Sequence, residues 1–299
     1  MGKLRKKGRA VFEKGIKWLT PISPTLVSRI RYRQGCKRRL NLKNPQEFNE
    51  KMMWLKLNTY YKNPLVIQCA DKVRVRDYIR ERGCEEILID CIGVYDRAEE
   101  IPWEQLPGQF VLKCNHGAGY NIICTDKNRA DLRSYEKKLS DWLKEDYSLT
   151  YAEMQYHYIK PKIICEKYLR PVSGVLPEDY KVYCFDGKAV CVMLCSARET
   201  GQSRFYFFDR DWKPLDWGSR RLTEEVYKIE RPACLDALFS YAEKLSEGFP
   251  FVRMDLYVMD NKVYFGEMTF TPSGCLAFGY TEEGNRELSR RLKLGVSDV

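Results

Sequence analysis

The segment Phe251-Val-Arg-Met-Asp-Leu-Tyr-Val-Met-Asp-Asn-Lys-Val-Tyr-Phe-Gly-Glu-Met-Thr-Phe270 limits what this chain can fold into more than any other. Apolar and polar residues alternate on both sides of Asp260-Asn261, a dipeptide suited to a tight turn, so the segment reads as a β-hairpin. On its first strand Arg253, Asp255 and Tyr257 share one face, with Val252, Met254, Leu256 and Val258 on the other. Glu267 and Thr269 share a face of the second strand. A three-residue connection, or two residues plus one bulge, sets Asp255 opposite Glu267 and Arg253 opposite Thr269. Carboxylates so placed amid apolar neighbours repel unless a cation lies between them. The spacing suits Mg²⁺, which takes a couple of carboxylates together with phosphate oxygens. A surface hairpin with its acids in water is the competing reading.

Two earlier segments carry complementary chemistry. Phe110-Val-Leu-Lys-Cys-Asn-His-Gly-Ala-Gly-Tyr-Asn-Ile-Ile-Cys124 is an apolar strand reaching Lys113, a glycine-bearing turn and a second apolar strand. Gly117 and Gly119 let backbone N–H groups converge on an anion, and Lys113 adds a point charge. The Gly-Lys-Ser/Thr ending of a Walker loop is missing, and a strand rather than a helix follows. An ordinary glycine-rich hairpin with a snorkelling lysine accounts for the same residues. Pro161-Lys-Ile-Ile-Cys-Glu-Lys-Tyr-Leu169 is an apolar strand ending at Glu166. It can offer backbone groups to an adenine edge and a carboxylate to ribose hydroxyls, or it is plain core strand.

In this order and spacing the segments resemble the ATP-grasp superfamily. More narrowly they resemble its TupA-like branch, associated with teichuronopeptide and capsular polysaccharide synthesis. The matching residues are Leu42-Lys-Asn-Pro-Gln-Glu-Phe-Asn-Glu-Lys51, Asp71-Lys72 leading into Val73-Arg-Val-Arg-Asp-Tyr78, Phe110 to Gly117, Asp179-Tyr-Lys-Val-Tyr-Cys-Phe-Asp-Gly187 and Gly266-Glu-Met-Thr-Phe-Thr-Pro272. The resemblance implies an α+β ATP-grasp fold, two α+β subdomains gripping ATP between antiparallel sheets. It divides the chain into a basic amphipathic arm (1–40), a pre-grasp region (41–106), a first subdomain with the glycine loop (107–166) and a metal-bearing second subdomain (167–299).

The implied activity is that of an ATP- and Mg²⁺-dependent (or Mn²⁺-dependent) carboxylate–amine ligase. It forms an amide through an acyl phosphate on a cell-surface polysaccharide or peptide-polymer precursor, for example an amino acid joined to a uronic acid. The same resemblance assigns roles. Lys113, Asn115, His116, Gly117 and Gly119 meet the phosphates, unless His116 merely caps the turn, and Glu166, Lys167, Tyr168 and Leu169 meet the nucleoside. Asp255, Glu267 and Thr269 hold the metal. Lys181 is the second phosphate-side lysine, and Arg253 grips the acyl phosphate or carboxylate, unless it is only a structural partner of Asp255. One departure stands out: the family's usual asparagine two positions after the glutamate is Thr269 here, a smaller and weaker ligand. The rival readings are a glycosyltransferase using Asp209-Arg-Asp211 as an Asp-x-Asp motif, a kinase that stops at phosphoryl transfer, and a non-enzymatic basic scaffold.

Charge is divided unevenly. The chain carries +10 overall, yet residues 1–43 hold fourteen Lys/Arg against Glu13 alone, leaving 37 basic and 40 acidic residues elsewhere. Residues 3–19 make an amphipathic helix whose stripe is Leu4, Gly8, Val11, Phe12, Gly15, Ile16 and Leu19, with Trp18 at the edge. Through residue 39, with Arg29, Arg31, Arg33, Lys37, Arg38 and Arg39, this arm either lies on an anionic membrane or packs on the body. On the membrane reading, a chain begun near Leu40 keeps ATP binding and loses anionic vesicles. No nucleic-acid recognition motif accompanies the basic residues, which sets that partner aside.

No run approaches the ~18 apolar residues of a membrane span, and no signal peptide precedes the basic start. The twelve cysteines sit without Cys-x-x-Cys, and His116 and His157 are the only histidines. The cysteines therefore read as reduced core residues of a cytoplasmic protein, peripheral on the inner membrane face if the arm binds there. Elsewhere, helices are expected through much of 45–105, at 132–144 and at 233–247. Strands are expected near 87–95, 180–185, 188–196 and 203–209, with a turn at Asp186-Gly187.

Overall fold

The computed structural model describes residues 2–169, 177–196, 203–218, 222–277 and 279–295. It opens with helices α1 (Gly2–Leu19), α2 (Pro24–Cys36), α3 (Phe48–Leu57), α4 (Pro64–Ala70) and α5 (Val75–Glu81). Their starts follow from local chemistry. Ser23 and Asn63 accept bonds from the first free N–H groups of α2 and α4, and Pro24 and Pro64 sit where a missing N–H costs nothing. At α3 the Glu50 carboxylate reaches back to the N–H of Gln46 at 3.0 Å.

Strand β1 (Cys91–Tyr95) comes next, then the hairpin β2 (Phe110–Cys114) and β3 (Asn121–Cys124), helix α6 (Leu132–Leu143) and strand β4 (Ile163–Lys167). These strands form one antiparallel sheet in the order β1-β4-β2-β3. β1 joins this sheet although it lies in the stretch read from sequence as the pre-grasp region. Strands β5 (Glu178–Phe185), β6 (Lys188–Ser196), β7 (Arg204–Phe208) and β8 (Pro214–Leu215) follow, then helices α7 (Glu224–Tyr227) and α8 (Leu235–Ser246). Strands β9 (Phe251–Met259) and β10 (Lys262–Thr269) and helix α9 (Glu282–Arg291) complete the chain. The second sheet runs β10-β9-β5-β6-β7-β8. The fold is therefore α+β, with two antiparallel sheets as expected.

Each sheet has its own core. Phe110, Leu112, Cys114, Ile163 and Cys165 pack with Leu139 of α6 under the first. Under the second, Val182, Cys184, Val252 and Met254 meet Leu238, Phe239 and Ala242 of α8. Ten of the twelve cysteines are buried, and their side chains serve as small fillers of the two cores. The pre-grasp region is tied to the second sheet and its helix by polar bonds: the Tyr60 hydroxyl donates to the Phe251 carbonyl of β9 and that of Tyr78 to the Leu245 carbonyl of α8.

The β9–β10 hairpin has the anticipated register. Asp260 and Asn261 take positive φ of 49° and 60°. The pairing slips by one residue between Phe265 and Glu267, which places Glu267 opposite Asp255 and Thr269 opposite Arg253. Gly266 is the extra residue, and a Cβ there would lie 2.7 Å from the Asp255 carbonyl oxygen. Only glycine lets the two backbones approach so closely.

The arm is partly body. Tyr32 of α2 is fully buried in the core beneath the second sheet, and Val27 packs with Ile16 and Ala152. Arg31 pairs with Glu13 and donates to the Thr150 carbonyl at 2.9 Å. Cutting near Leu40 thus removes packed structure. The apolar stripe of α1 is also split: Ile16 turns inward, while Val11 and Trp18 face outward.

Replacing Gly266 with alanine should lower stability by about 1–3 kcal/mol, the usual cost of forcing extra volume into close contact. A thermal melt indistinguishable from wild type would show that the bulge tolerates a side chain.

Candidate active site

Lys113 and Glu166 become neighbours through strand register. Val111 pairs with Glu166 and Lys113 with Ile164, so the lysine and the glutamate are diagonal on one face of the first sheet. Lys113 Nζ lies 2.6 Å from Glu166 Oε2, and Arg76 of α5 reaches the other oxygen at 3.4 Å. Burial disfavours the charge on Lys113, but Glu166 outweighs it and holds the ammonium above its ordinary pKa. Beside them opens a cavity of about 100 Å³ lined by Val111, Ile123, Lys167, Tyr168, Leu169 and, from the second sheet, Tyr257. The candidate nucleoside residues therefore converge on one apolar slot.

Two loop side chains point elsewhere. Asn115 Nδ2 donates to Asp71 Oδ1 at 2.8 Å and to the Lys160 carbonyl at 3.0 Å, and its Oδ1 accepts from Lys162 N–H at 2.7 Å. His116 is buried against Tyr120, with Nε2 3.1 Å from the Trp142 carbonyl, and burial lowers its pKa. Both side chains shape the loop from within, where phosphate contacts were expected of them. Gly117 is buried beneath Tyr147 and Tyr120, which leave no room for a Cβ. Gly119 takes the left-handed φ of 78° that turns the chain into β3.

The loop is held from outside by a residue to which the sequence reading assigned no role. Lys72, between α4 and α5, donates to the Gly117 carbonyl at 2.5 Å and stands 3.7 Å from Glu267 Oε2. Asp71 places it by accepting from the Val73 and Arg74 N–H groups and from Asn115. Burial lowers the Lys72 pKa; Glu267 partly offsets this, while Lys113 adds to it.

The second sheet supplies the acids. Asp255 is 3% exposed and engaged by two cations. Arg253 donates Nε to Oδ1 at 2.6 Å and Nη2 to Oδ2 at 2.7 Å, and Lys181 Nζ donates to Oδ2 at 2.7 Å. Lys181 also bonds Asp179 at 2.7 Å. Burial would raise the Asp255 pKa, but Arg253 and then Lys181 outweigh it and hold the carboxyl below its ordinary value. Thr269 Oγ1 accepts from Arg253 Nη2 and donates to Glu267 Oε1, each at 3.3 Å. Glu267 itself keeps a side-chain exposure of 37%, open to the cleft.

Asp209-Arg-Asp211 lies elsewhere. Asp209 Oδ1 accepts from the N–H groups of Asp211 and Lys213 at 2.9 and 2.8 Å, so it closes the turn between β7 and β8.

With this geometry the comparisons are decisive in one respect: the TupA-like ATPgrasp family model matches residues 50–293. The chain belongs to the TupA-like ATP-grasp family. Its fold is accordingly the ATP-grasp fold. No curated protein matches the chain. Among solved structures, D-alanine–D-alanine ligase from Bacillus anthracis is similar at 20% identity and a TM-score of 0.40, over 68% of this chain and 57% of that one. The Helicobacter pylori enzyme of the same name aligns at 16% identity and a TM-score of 0.44, over 82% and 69%. The ATP-grasp ligase PsnB, complexed with minimal precursor, Mg and ADP, aligns at 14% identity and a TM-score of 0.37, over 74% and 57%.

The Asp255 cluster sets an acid limit. Its pKa is depressed in the folded state, so its stabilisation is present above the unfolded value of ~3.9 and is lost as pH falls through the lower folded value. The thermal midpoint should therefore drop below about pH 4. Lys181→Met should cost about 3 kcal/mol at neutral pH, because it strips a cation from buried acids. Denaturant titration of both proteins measures these effects.

Proposed function

We propose that the protein is an ATP-dependent carboxylate–amine ligase working through an acyl phosphate. The observation that carries this reading is the gathering of Lys72, Lys113, Lys181 and Arg253 around one cleft that also holds Glu267. Negative charge moves from the γ-phosphoryl group to ADP during transfer, so catalysis rests on positioning and on fixed cations. A substrate carboxylate oxygen attacks the γ-phosphorus, the bond to the β-phosphate oxygen breaks, and ADP leaves. An amine nitrogen then attacks the acyl carbon, phosphate departs, and the amine proton is lost to solvent. Lys113 and Lys72 would face the nucleotide phosphates, while Lys181 and Arg253 would face the acyl phosphate.

A divalent metal fits the donors present. Among the described residues no group of three His, Cys, Asp or Glu side chains gathers around one point. Glu267 offers an open carboxylate oxygen, Thr269 a hydroxyl and Asp255 its remaining lone pairs. These are hard donors, too few for an all-protein cage and suited to Mg²⁺ that completes its shell with phosphate oxygens. When bound, the ion would supply charge neutralisation at those oxygens.

The substrates we assign are a carboxylate-bearing sugar or peptide-polymer precursor of the cell surface and an amino acid or similar amine. The arm supports a location. Val11, Trp18 and Ile22 expose 70%, 74% and 64% of their surfaces. On α2, Leu26, Arg29, Ile30 and Arg33 follow helical spacing along one side, and Arg29, Arg33 and Arg39 line a groove of about 370 Å³. Apolar residues beside such a basic fringe suit the anionic inner face of the cell membrane.

Four outcomes test these readings. Lys113→Ala should weaken ATP binding at least tenfold by calorimetry with unchanged circular dichroism. Glu267→Gln should abolish turnover, and the products should be ADP and phosphate, released only when a carboxylate and an amine are both present. AMP with pyrophosphate, or a nucleoside diphosphate released from a nucleotide sugar without ATP, would refute the ligase. The double variant Trp18→Ser/Ile22→Ser should sediment severalfold less with anionic vesicles than wild type, and wild-type binding should weaken with added salt. Equal sedimentation at all salt concentrations excludes the membrane role.

A further inference from the structure

Behind Glu267 lies a cavity of about 530 Å³ that the roles assigned so far leave empty. Arg253, Glu267 and Thr269 form its cleft side, and Tyr147, Tyr151, Tyr156 and Glu153 its far side. A second cavity, of about 330 Å³, opens on the other side of Arg253, lined by Lys181, Tyr183, Phe207 and Tyr280. Arg253 and Ser273 line both. Between them Ser273, Gly274 and Cys275 take successive left-handed φ of 52°, 65° and 64°. Such strain persists only where its surroundings hold it, and it gathers at ligand-binding walls.

The two chambers differ in charge. The chamber of Lys181 and Arg253 presents cations to its contents. The larger one sets Glu153 and Glu267 against Arg253 of the shared wall, with three tyrosine side chains around them, so its own lining carries one more negative than positive charge.

Glu153 is the unexplained group. It is 4% exposed, and Thr271 Oγ1 donates to its Oε1 at 2.6 Å. Gln155 Nε2 donates to the same Thr271 oxygen at 2.8 Å, which commits the threonine proton to Glu153 and holds that carboxyl oxygen as an acceptor. The other oxygen, Oε2, has no hydrogen-bond partner among the described residues, and the side chain lines the cavity. Lys56 is the nearby cation, but its ammonium donates to the Tyr151 carbonyl at 2.8 Å. Leaving a buried carboxylate without a full set of partners is costly, and a ligand ammonium removes the cost.

We infer that this chamber is the amine site, and that Glu153, with the rings of Tyr147, Tyr151 and Tyr156, recognises the substrate as a primary ammonium group. The inference rests on the ligase reading and assigns its second substrate a place. The carboxylate substrate then occupies the Lys181 chamber, so that the two substrates meet at Arg253. Glu153 acts here in recognition and charge selection, and the bound ammonium gives up one proton to solvent before its nitrogen attacks the acyl carbon. Burial raises its pKa, with Thr271 and Lys56 opposing, so the empty site resists ionisation and the bound ammonium favours it. By linkage, ammonium binding should draw a proton from Glu153.

The test uses the full chain with glycinamide as the probe and acetamide as the neutral control, followed by calorimetry and ligand-observed NMR. Wild type should bind glycinamide and ignore acetamide. Glu153→Gln keeps the shape, relieves a buried charge and should melt no lower than wild type, yet glycinamide binding should fall at least tenfold while ATP binding is unchanged. With ATP and a carboxylate supplied, the KM for glycinamide should rise with little change in kcat. Tyr151→Leu, at the 37% exposed rim, should weaken the probe severalfold even if the Gln variant fails to fold. Unaltered glycinamide binding in the folded Gln variant, or in Tyr151→Leu where the Gln variant does not fold, overturns the assignment, as does a wild type that binds no glycinamide. If ATP turnover proceeds while the amine binds elsewhere, the chamber is wrong and the ligase stands. If glycinamide binds here but no carboxylate drives ATP turnover, the ligase fails and the chamber stands.

Discussion

The cleft depends on how one buried carboxylate is neutralised. Asp255 sits in the middle of the second sheet with Arg253 on its own strand and Lys181 on the next, all within 2.7 Å hydrogen bonds. A charge in that position is tolerable only if fully paired. The pairing orients two long, otherwise mobile cations toward a common side, and Thr269 then links the guanidinium to Glu267. Asp255 thus organises the site before any ligand arrives. Preorganised charge of this kind needs no rearrangement when negative charge develops nearby.

How much of this was legible in the sequence follows from whether the determinant is local. The β9–β10 hairpin was legible because a two-residue period and a turn dipeptide are read directly; of the two connections that bring Asp255 and Glu267 level, a three-residue turn or a bulge, the structure has the bulge, at Gly266. Lys113 and Glu166 were found as strand residues, but their mutual salt bridge depends on β4 lying between β1 and β2, an order that no local pattern encodes. At Asn115 and His116 the direction of the side chain was not legible. Polar side chains in a glycine loop suggest anion contacts, yet tertiary packing turns both inward to bond the backbone around residues 142 and 160–162.

Lys72 and Glu153 were missed for a shared reason. Each lies outside regular structure, in a link where neither periodicity nor a turn signal marks direction, and each acquires meaning through residues more than forty positions away. The arm was half legible. Its amphipathic helix was visible, but Ile16 and Tyr32 face the body while Trp18 and Val11 do not, and hydrophobicity alone cannot assign apolar side chains to protein or to another surface.

The bridge made by Lys72 has a mechanical consequence. Its single ammonium holds the carbonyl of the glycine loop in one lobe and faces the carboxylate of Glu267 in the other. Any anion that draws this ammonium away releases the loop and the carboxylate together. The bridge is therefore a single contact on which the loop and the carboxylate both depend.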